Sequence, residues 1–387
     1  MNKDQVGAIS DGPLSGIVVA DFSRVLAGPY ATMLLGDMGA DVIKVESKLG
    51  DETRTWKPPS FGEDSTYYLG INRNKRSIVL DLSDPQDVSV AKELIRRSDV
   101  MIENFRSGAM AKFGLDYLGA KEINPQIIYA SISGFGSDLG ASIPGYDLMV
   151  QAISGLMSLT GDPDSDPMRA GFAVIDVITG LHCALGIVSA LFERSKSSEG
   201  QNLQVSLLAS ALSGMVNQTS AYTVGHVVPN RMGNAHPSLY PYEPFDASDG
   251  KIVVAIGNDG QFQRFANAIG LGFLAEDPNF ATNEERNRNR GVLREKLNQT
   301  LSSKTKSEWF DIFVGVGVPA GPINTVDDGI AFARSVGLNP TINQDYNGGE
   351  IATVRNPISF SKTPNSYRYS PPKLGEDSKE IRQWLSS

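Results

Sequence analysis

Over the first third of the chain, short apolar runs alternate with stretches whose apolar residues share one helical face. The runs are Gly16–Ala20, Asp41–Glu46, Ser77–Leu82, Val100–Ile102 and Ile127–Ser131. Strands that are apolar at nearly every position, rather than at every second one, are those buried on both faces of a sheet. Between the first two runs, the turn Asp21–Pro29 opens a helix reaching about Met38. Between the third and fourth, Asp84-Pro85 caps a helix over Pro85–Arg97, with Val88, Ala91, Leu94 and Ile95 on one face. The repeated strand–loop–helix order predicts a parallel, helix-covered sheet of Rossmann-like α/β class. Ligands of such sheets lie beyond the carboxyl ends of the strands, where Asp21–Pro29, Ser47–Trp56 and Asn104–Gly108 fall. The first of these loops lacks the Gly-x-Gly-x-x-Gly that brings backbone against a pyrophosphate, which argues against a nicotinamide cofactor.

The most apolar stretch comes later. Asp176 stands directly before sixteen mostly apolar residues, Val177–Phe192. The run is too short for a membrane span, and Gly180, His182, Gly186 and Ser189 interrupt it. It predicts a buried helix with Asp176 as N-cap, where backbone N–H groups favour the ionised carboxylate. Spacing allows two roles for Asp176. An ordinary cap, stabilising the helix by about 1 kcal/mol, is the simpler; a nucleophile toward an activated acyl group is the other.

Beyond it, Gly200–Leu212 begins as a strand and continues as a helix, and Gly225–Phe245, with four prolines, reads as an extended connection. Lys251–Ile256 is a strand, followed by a tight loop, Gly257–Gln261, that enters a helix. Further helices fall near Asn287–Leu301, Lys306–Val314 and, at the end, Asp377–Leu385. The predicted organisation is a large domain over 1–205 completed by 340–387, a linker over 206–228, a smaller α/β domain over 229–328, and a return linker with a terminal helix over 329–387.

Composition narrows the function classes. The chain has 387 residues, 41% of them hydrophobic, and a formal net charge of −9 without a long basic run, so nucleic acid is an unsuitable partner. Three scattered histidines and a single cysteine, Cys183, cannot build a standard zinc site, and no metal is expected. The opening MNKDQVGAISDG shows neither an export nor a transit pattern, so a cytoplasmic protein without membrane attachment is expected.

Several long motifs occur in an order that resembles family III CoA-transferases, the carnitine and bile-acid CoA-transferase family. They are DFSRVLAGP (Asp21–Pro29), GADVIKVE (Gly39–Glu46), NRNKRSI (Asn72–Ile78), ENFRSG (Glu103–Gly108), GYDLMVQAISGLMSLTG (Gly145–Gly161), the lone Asp176, and GQNLQVSLL (Gly200–Leu208). The resemblance runs from about Leu14 to Gly375. It implies that Asp176 attacks an acyl-CoA thioester, that CoA thiolate then converts the mixed anhydride to an aspartyl-CoA thioester, and that an incoming acid reverses the sequence. It also implies a homodimer whose chains pass through one another like linked rings, with coenzyme A thioester as substrate and no permanently bound cofactor.

Other roles carry over by position. Val25, Leu26 and Ala27 fall where the family packs on the CoA adenosine end. Asn104, Phe105, Arg106, Lys112 and Phe113, with Leu80, fall where it wraps nucleotide and pantetheine. Ser47 replaces a common cation, leaving Lys48 or Arg54 to supply the charge. Tyr146 and Asp147 match the thioester site, and Gly257, Asp259, Gly260 and Gln261 match a loop thought to cover the reacting centre, here with less glycine than usual. A racemase of the same fold would carry histidine at Tyr146; a catalytically silent CoA-binding protein and a dehydrogenase are the readings from other classes. GNDGQF, together with Arg231, Gly233, His236, Pro241, Tyr242 and Phe245, looks most like the branch that moves CoA between small dicarboxylates, succinyl-CoA among them. Arg54, Arg169, Arg231 and His236 are the candidates to neutralise a distal carboxylate. The plainer role for Arg231 and His236 is to pin the connection they lie in.

Overall fold

The structure is a computed structural model that describes residues 12–387. The opening segment read above for a targeting pattern therefore lies, but for Gly12, outside the described residues. The chain divides into two compact units. One comprises the residues up to Leu156, Arg169–Val228 and Asn339–Ser387; the other comprises Met157–Met168 and Pro229–Leu338.

The first unit is built on a six-stranded parallel sheet. Its spatial order is Lys75–Val79, Asp41–Glu46, Val18–Asp21, Val100–Glu103, Ile128–Ser133 and Gln201–Ser206. Numbered along the chain, that is 3-2-1-4-5-6, the doubly wound order. Its direction of winding reverses between Val18–Asp21 and Val100–Glu103, which opens a crevice at their carboxyl ends. The near-continuous apolar strands have the cause predicted for them. Val19, Val42, Val100, Ile102 and Ile128 pack on the helices Ala27–Asp37 and Val174–Ser197. Val18, Ala20, Ile43, Met101 and Tyr129 pack on the helix Pro85–Arg97 and the terminal helix Ser378–Ser386 from the opposite face.

Several boundaries differ from expectation, each for a local reason. The third strand starts at Lys75, two residues early, because Lys75 and Arg76 are buried through ion pairs with Asp21 and Asp41. A polar start therefore hid the buried beginning of the sheet's edge strand. The helix read at the end of Gly200–Leu212 occurs as Leu207–Gly214, and the rest of the expected linker 206–228 carries a second helix, Val216–Thr223. The return segment contains a hairpin, Thr341–Tyr346 with Gly349–Val354. Its turn is Asn347-Gly348 at φ 53° and 76°, and Asn-Gly is the strongest short hairpin signal.

The second unit holds a three-stranded antiparallel sheet, Ala320–Pro322, Gly250–Ala255 and Tyr242–Ala247. It packs on helices through Phe245, Phe262, Phe265, Leu297, Trp309 and Phe313.

Candidate active site

At the switch point, the loop after Val18–Asp21 rests on buried charges. Asp21 and Lys75 pair at 3.1 Å, and Lys44 and Asp51 at 2.9 Å; all four are essentially inaccessible. Lys44 also donates to the Ser23 carbonyl at 3.1 Å. Burial pushes the Asp51 carboxyl up, but the Lys44 ammonium and the donors of Thr53 outweigh it and hold Asp51 below the usual carboxylate range. Above this base Val25 adopts φ 68°, a left-handed conformation that is costly for a β-branched residue. Its N–H donates to both oxygens of Asp51 at 3.3 Å. Asn104, from the neighbouring strand end, accepts from Arg24 N at 2.9 Å and donates to Arg24 O at 2.7 Å. The two contacts clamp one residue of the loop as a strand partner would, so Asn104 shapes the loop that presents Val25, Leu26 and Ala27.

Asp176 is not the N-cap. The helix starts at Val174 with Ala173 in the cap position, which places Asp176 in its first turn. The N–H groups an N-cap would have bonded go instead to Asp147, whose Oδ2 accepts from Ile175 N at 2.8 Å and Asp176 N at 3.1 Å. Asp147 is itself buried, at the start of the helix Asp147–Ile153. Among the described residues, no donor bonds the Asp176 carboxylate. The expected stabilisation of its ionised form is therefore reversed: burial first, then the facing Asp147 charge, raises Asp176 to about 7. A carboxylate with a raised pKa and no hydrogen bond to satisfy it is basic and nucleophilic, and at neutral pH a large share of it is ionised.

Asp176 opens into a cavity of about 280 Å³ lined by Arg24, Val25, Leu26, Ala27, Asn104, Phe105, Arg106, Tyr146 and the loop Ser133–Tyr146, among others. Within that loop Gly134 and Gly145 touch backbone to backbone. A Cβ on Gly145 would lie 2.5 Å from the Gly134 Cα, and this crossing delivers exposed Tyr146 to the rim. A second cavity, about 390 Å³, is lined by Ser47, Lys48, Leu80, Phe105, Phe113 and again Arg24. The Arg24 guanidinium lies 4.8 Å from the Phe105 ring centre, at the place the two cavities share. Lys112 is exposed on the turn Met110–Phe113 beside this second cavity. Lys48 lines the cavity while pairing with Asp81 at 3.0 Å.

The candidate cations are unequally free. Arg54 holds Glu46 through Nε and Nη2, at 2.8 and 2.7 Å, and also bonds the Tyr68 hydroxyl and the Pro372 carbonyl. Arg169 is exposed and donates to the carbonyl of the next residue, Ala170, at 3.1 Å. In the second unit, Arg231 donates to the carbonyls of Asp162 and Pro163, and His236 Nδ1 accepts from Ser238 N and Leu239 N. Those contacts fasten chain to chain, and burial followed by the Arg290 charge lowers the His236 pKa. In the same unit the glycine loop closes on itself. Gln261 Oε1 accepts from Gly257 N at 2.7 Å, Asn258 accepts from Gln261 N, and Asp259 pairs with buried Arg286 at 2.7 Å.

Sequence reasoning missed Tyr67, Asp51 and Gln151. Burial and then the charges of Asp176 and Asp147 push the Tyr67 phenol up to about 12, and nothing in its Thr66-Tyr67-Tyr68 context signals that proximity. Gln151 had a signal. It lies four residues after Asp147, hence on the same helix face.

The match to a family model described as CoA-transferase family III extends over residues 14–378. A succinate–glutarate CoA-transferase of Agrobacterium fabrum is 42% identical, the alignment covering 95% of this chain and 94% of that protein. The human succinyl-CoA:glutarate CoA-transferase is 39% identical over 95% of this chain and 85% of its own length. The crystal structure of a CAIB/BAIF family protein from Brucella suis superposes with a TM-score of 0.86 at 40% identity, covering 97% of this chain and 99% of that one. With the doubly wound sheet and Asp176 at a cavity beyond its switch point, these matches establish that the chain belongs to CoA-transferase family III.

Proposed function

We propose that this protein transfers CoA from succinyl-CoA to a small dicarboxylate, with Asp176 as the nucleophile. The observation that carries this is the Asp176 carboxylate, free of donors among the described residues and facing a cavity continuous with the loop Val25–Ala27. One Asp176 oxygen attacks the thioester carbonyl, the C–S bond breaks and CoA thiolate departs. The thiolate then attacks the Asp176 carbonyl carbon of the anhydride, which releases succinate and leaves an aspartyl-CoA thioester. The acceptor carboxylate attacks that thioester and expels thiolate, which finally takes the acceptor's acyl group and frees Asp176. No step needs a net proton transfer, and one thioester replaces another. The succinyl and dicarboxylate assignment is supported by the named activities of the relatives.

A second carboxylate on the acceptor needs a cation. Arg54, Arg231 and His236 already hold protein groups, whereas exposed Arg169 holds a single neighbouring carbonyl. Arg169 is therefore assigned to the distal carboxylate, which its guanidinium can bind bidentately. A panel of acids with succinyl-CoA as donor tests the reading: a C4–C6 dicarboxylate should lead, and a lead by monocarboxylates would overturn it. Arg169→Gln should raise KM for the diacid about tenfold more than for its monoester.

The linked-ring homodimer is part of the same reading. Leu181, Leu185, Val188 and Phe192 form a stripe on the helix Val174–Ser197, and they are 47, 66, 37 and 63% exposed. A second copy covering that stripe accounts for such apolar exposure. By length and composition this helix, alone among the described residues, could cross a membrane. Sedimentation at micromolar concentration should give a dimer; a monomer would sink this part of the proposal.

A further inference from the structure

We infer that Gln151 is a positioning residue for Asp176, acting through Asp147 and through the backbone that leads into the nucleophile's helix. The inference rests on the reading of Asp176 as nucleophile and adds a residue to it. The Gln151 side chain is fully buried, and its amide bonds three groups. Its Oε1 accepts from Ala170 N at 2.8 Å. Its Nε2 donates to Asp147 Oδ1 and, at 3.4 Å, to the Phe172 carbonyl. One amide therefore ties Ala170 and Phe172, just before the helix, to the side chain that caps the helix.

The geometry has a direct consequence for the reacting oxygen. With Oδ1 held by Gln151, Asp147 presents Oδ2 to the N–H groups of Ile175 and Asp176. Asp176 is the third residue of the helix, the position from which an acidic side chain commonly folds back onto the N-terminal N–H groups. If Asp147 were free to turn away, Asp176 would be the nearest carboxylate to take its place. A carboxylate bonded to its own helix has lost both its aim and its basicity. Gln151 thus keeps the nucleophile available by keeping another group in the cap.

The test uses the full chain. Gln151→Leu removes the amide at similar volume. Misplacing a reacting group by about 1 Å can cost about 100-fold, so kcat should fall about 30- to 100-fold. KM for succinyl-CoA should stay within about threefold, because the CoA loops do not touch this residue. The acid limb of kcat against pH should also move down by about one unit, since Asp176 would gain donors. The charged or titratable groups around Asp176 are Asp147 at the start of the helix Asp147–Ile153, the Tyr67 phenol, and Arg24, Glu52 and Arg106 at the cavity; of these, Gln151 bonds Asp147 alone, so the variant acts through Asp147.

The double variant Asp147→Asn with Gln151→Glu exchanges donor and acceptor. The new amide oxygen still accepts the two helix N–H groups, its NH2 donates to the new carboxylate, and that carboxylate still accepts from Ala170 N. Its kcat should exceed that of either single variant by about tenfold. A purely structural Gln151 would lower melting temperature while leaving kcat and its pH limb in place, and would give no rescue; either result overturns the inference. The double variant decides the matter if Gln151→Leu fails to fold. Hydroxylamine trapping of acyl-Asp176 in the unsubstituted enzyme separates the two readings. No adduct removes Asp176 as nucleophile, whereas an adduct with an unaffected Gln151→Leu removes only the role of Gln151.

Discussion

Asp176→Asn should abolish CoA transfer, by at least about 10⁴-fold, while making the protein more resistant to heat at pH 8. The first effect follows from losing the oxygen that forms the anhydride. The second follows from the raised pKa. An aspartate near 4 when unfolded and about 7 when folded is protonated in both states below pH 4, where it costs nothing. Between pH 4 and 7 the folded state holds a proton the unfolded state has released, so stability falls as pH rises. Above 7 the full cost remains. Three units correspond to roughly 4 kcal/mol, and solvent reaching this half-buried side chain reduces that to about 1–2 kcal/mol. Asparagine has no charge to desolvate or to repel Asp147, so its melting temperature should exceed the wild type by a few degrees at pH 8, with the gap closing toward pH 5. An equal gap at both values would show that Asp176 is not held in a strained charge state. Retained transferase activity would remove it from the chemistry.

The frame was legible because it depends on local pattern. The strand Asp41–Glu46 and the helix Pro85–Arg97 occur with the predicted ends, since an apolar run and an Asp-Pro start are read from adjacent residues. The start of the Asp176 helix was not legible in the same way. Its cap comes from Asp147, 29 residues earlier in the chain, so no local signal marks Val174 as helical or leaves Asp176 unbonded. The sign of the Asp176 pKa shift was reversed for the same reason. The cations illustrate a related limit. An arginine in a sequence is a charge of unknown partner, and the partner of Arg54, Glu46, is known only once the strand end and the loop meet. The Asn347-Gly348 hairpin is different, because its signal lies in two adjacent residues of the segment expected as a return linker.

The second large effect is expected at Asp51, which touches no cavity atom that reacts. Its carboxylate bonds Lys44 Nζ at 2.9 Å, Thr53 N at 3.0 Å, Thr53 Oγ1 at 2.8 Å and Val25 N at 3.3 Å. Asp51→Ala leaves the fully buried Lys44 ammonium short of its closest counter-charge, which should cost about 3–5 kcal/mol in urea unfolding. It also releases Val25, whose φ of 68° stores on the order of 1–3 kcal/mol as long as neighbours enforce it. Once free, Val25 can return to negative φ and carry Leu26 and Ala27 away from the cavity they line. KM for acyl-CoA should then rise about tenfold or more. The two effects separate in the double variant Lys44→Met with Asp51→Leu. Replacing both charges with apolar groups removes the stranded ion, so much of the stability should return. The Val25 contact does not return, so KM should stay high. Recovery of both would mean that packing, not the Asp51 carboxylate, sets the loop; recovery of neither would mean that the buried charges act as one network with Asp21 and Lys75, which the matching Lys75→Met variant would then reproduce.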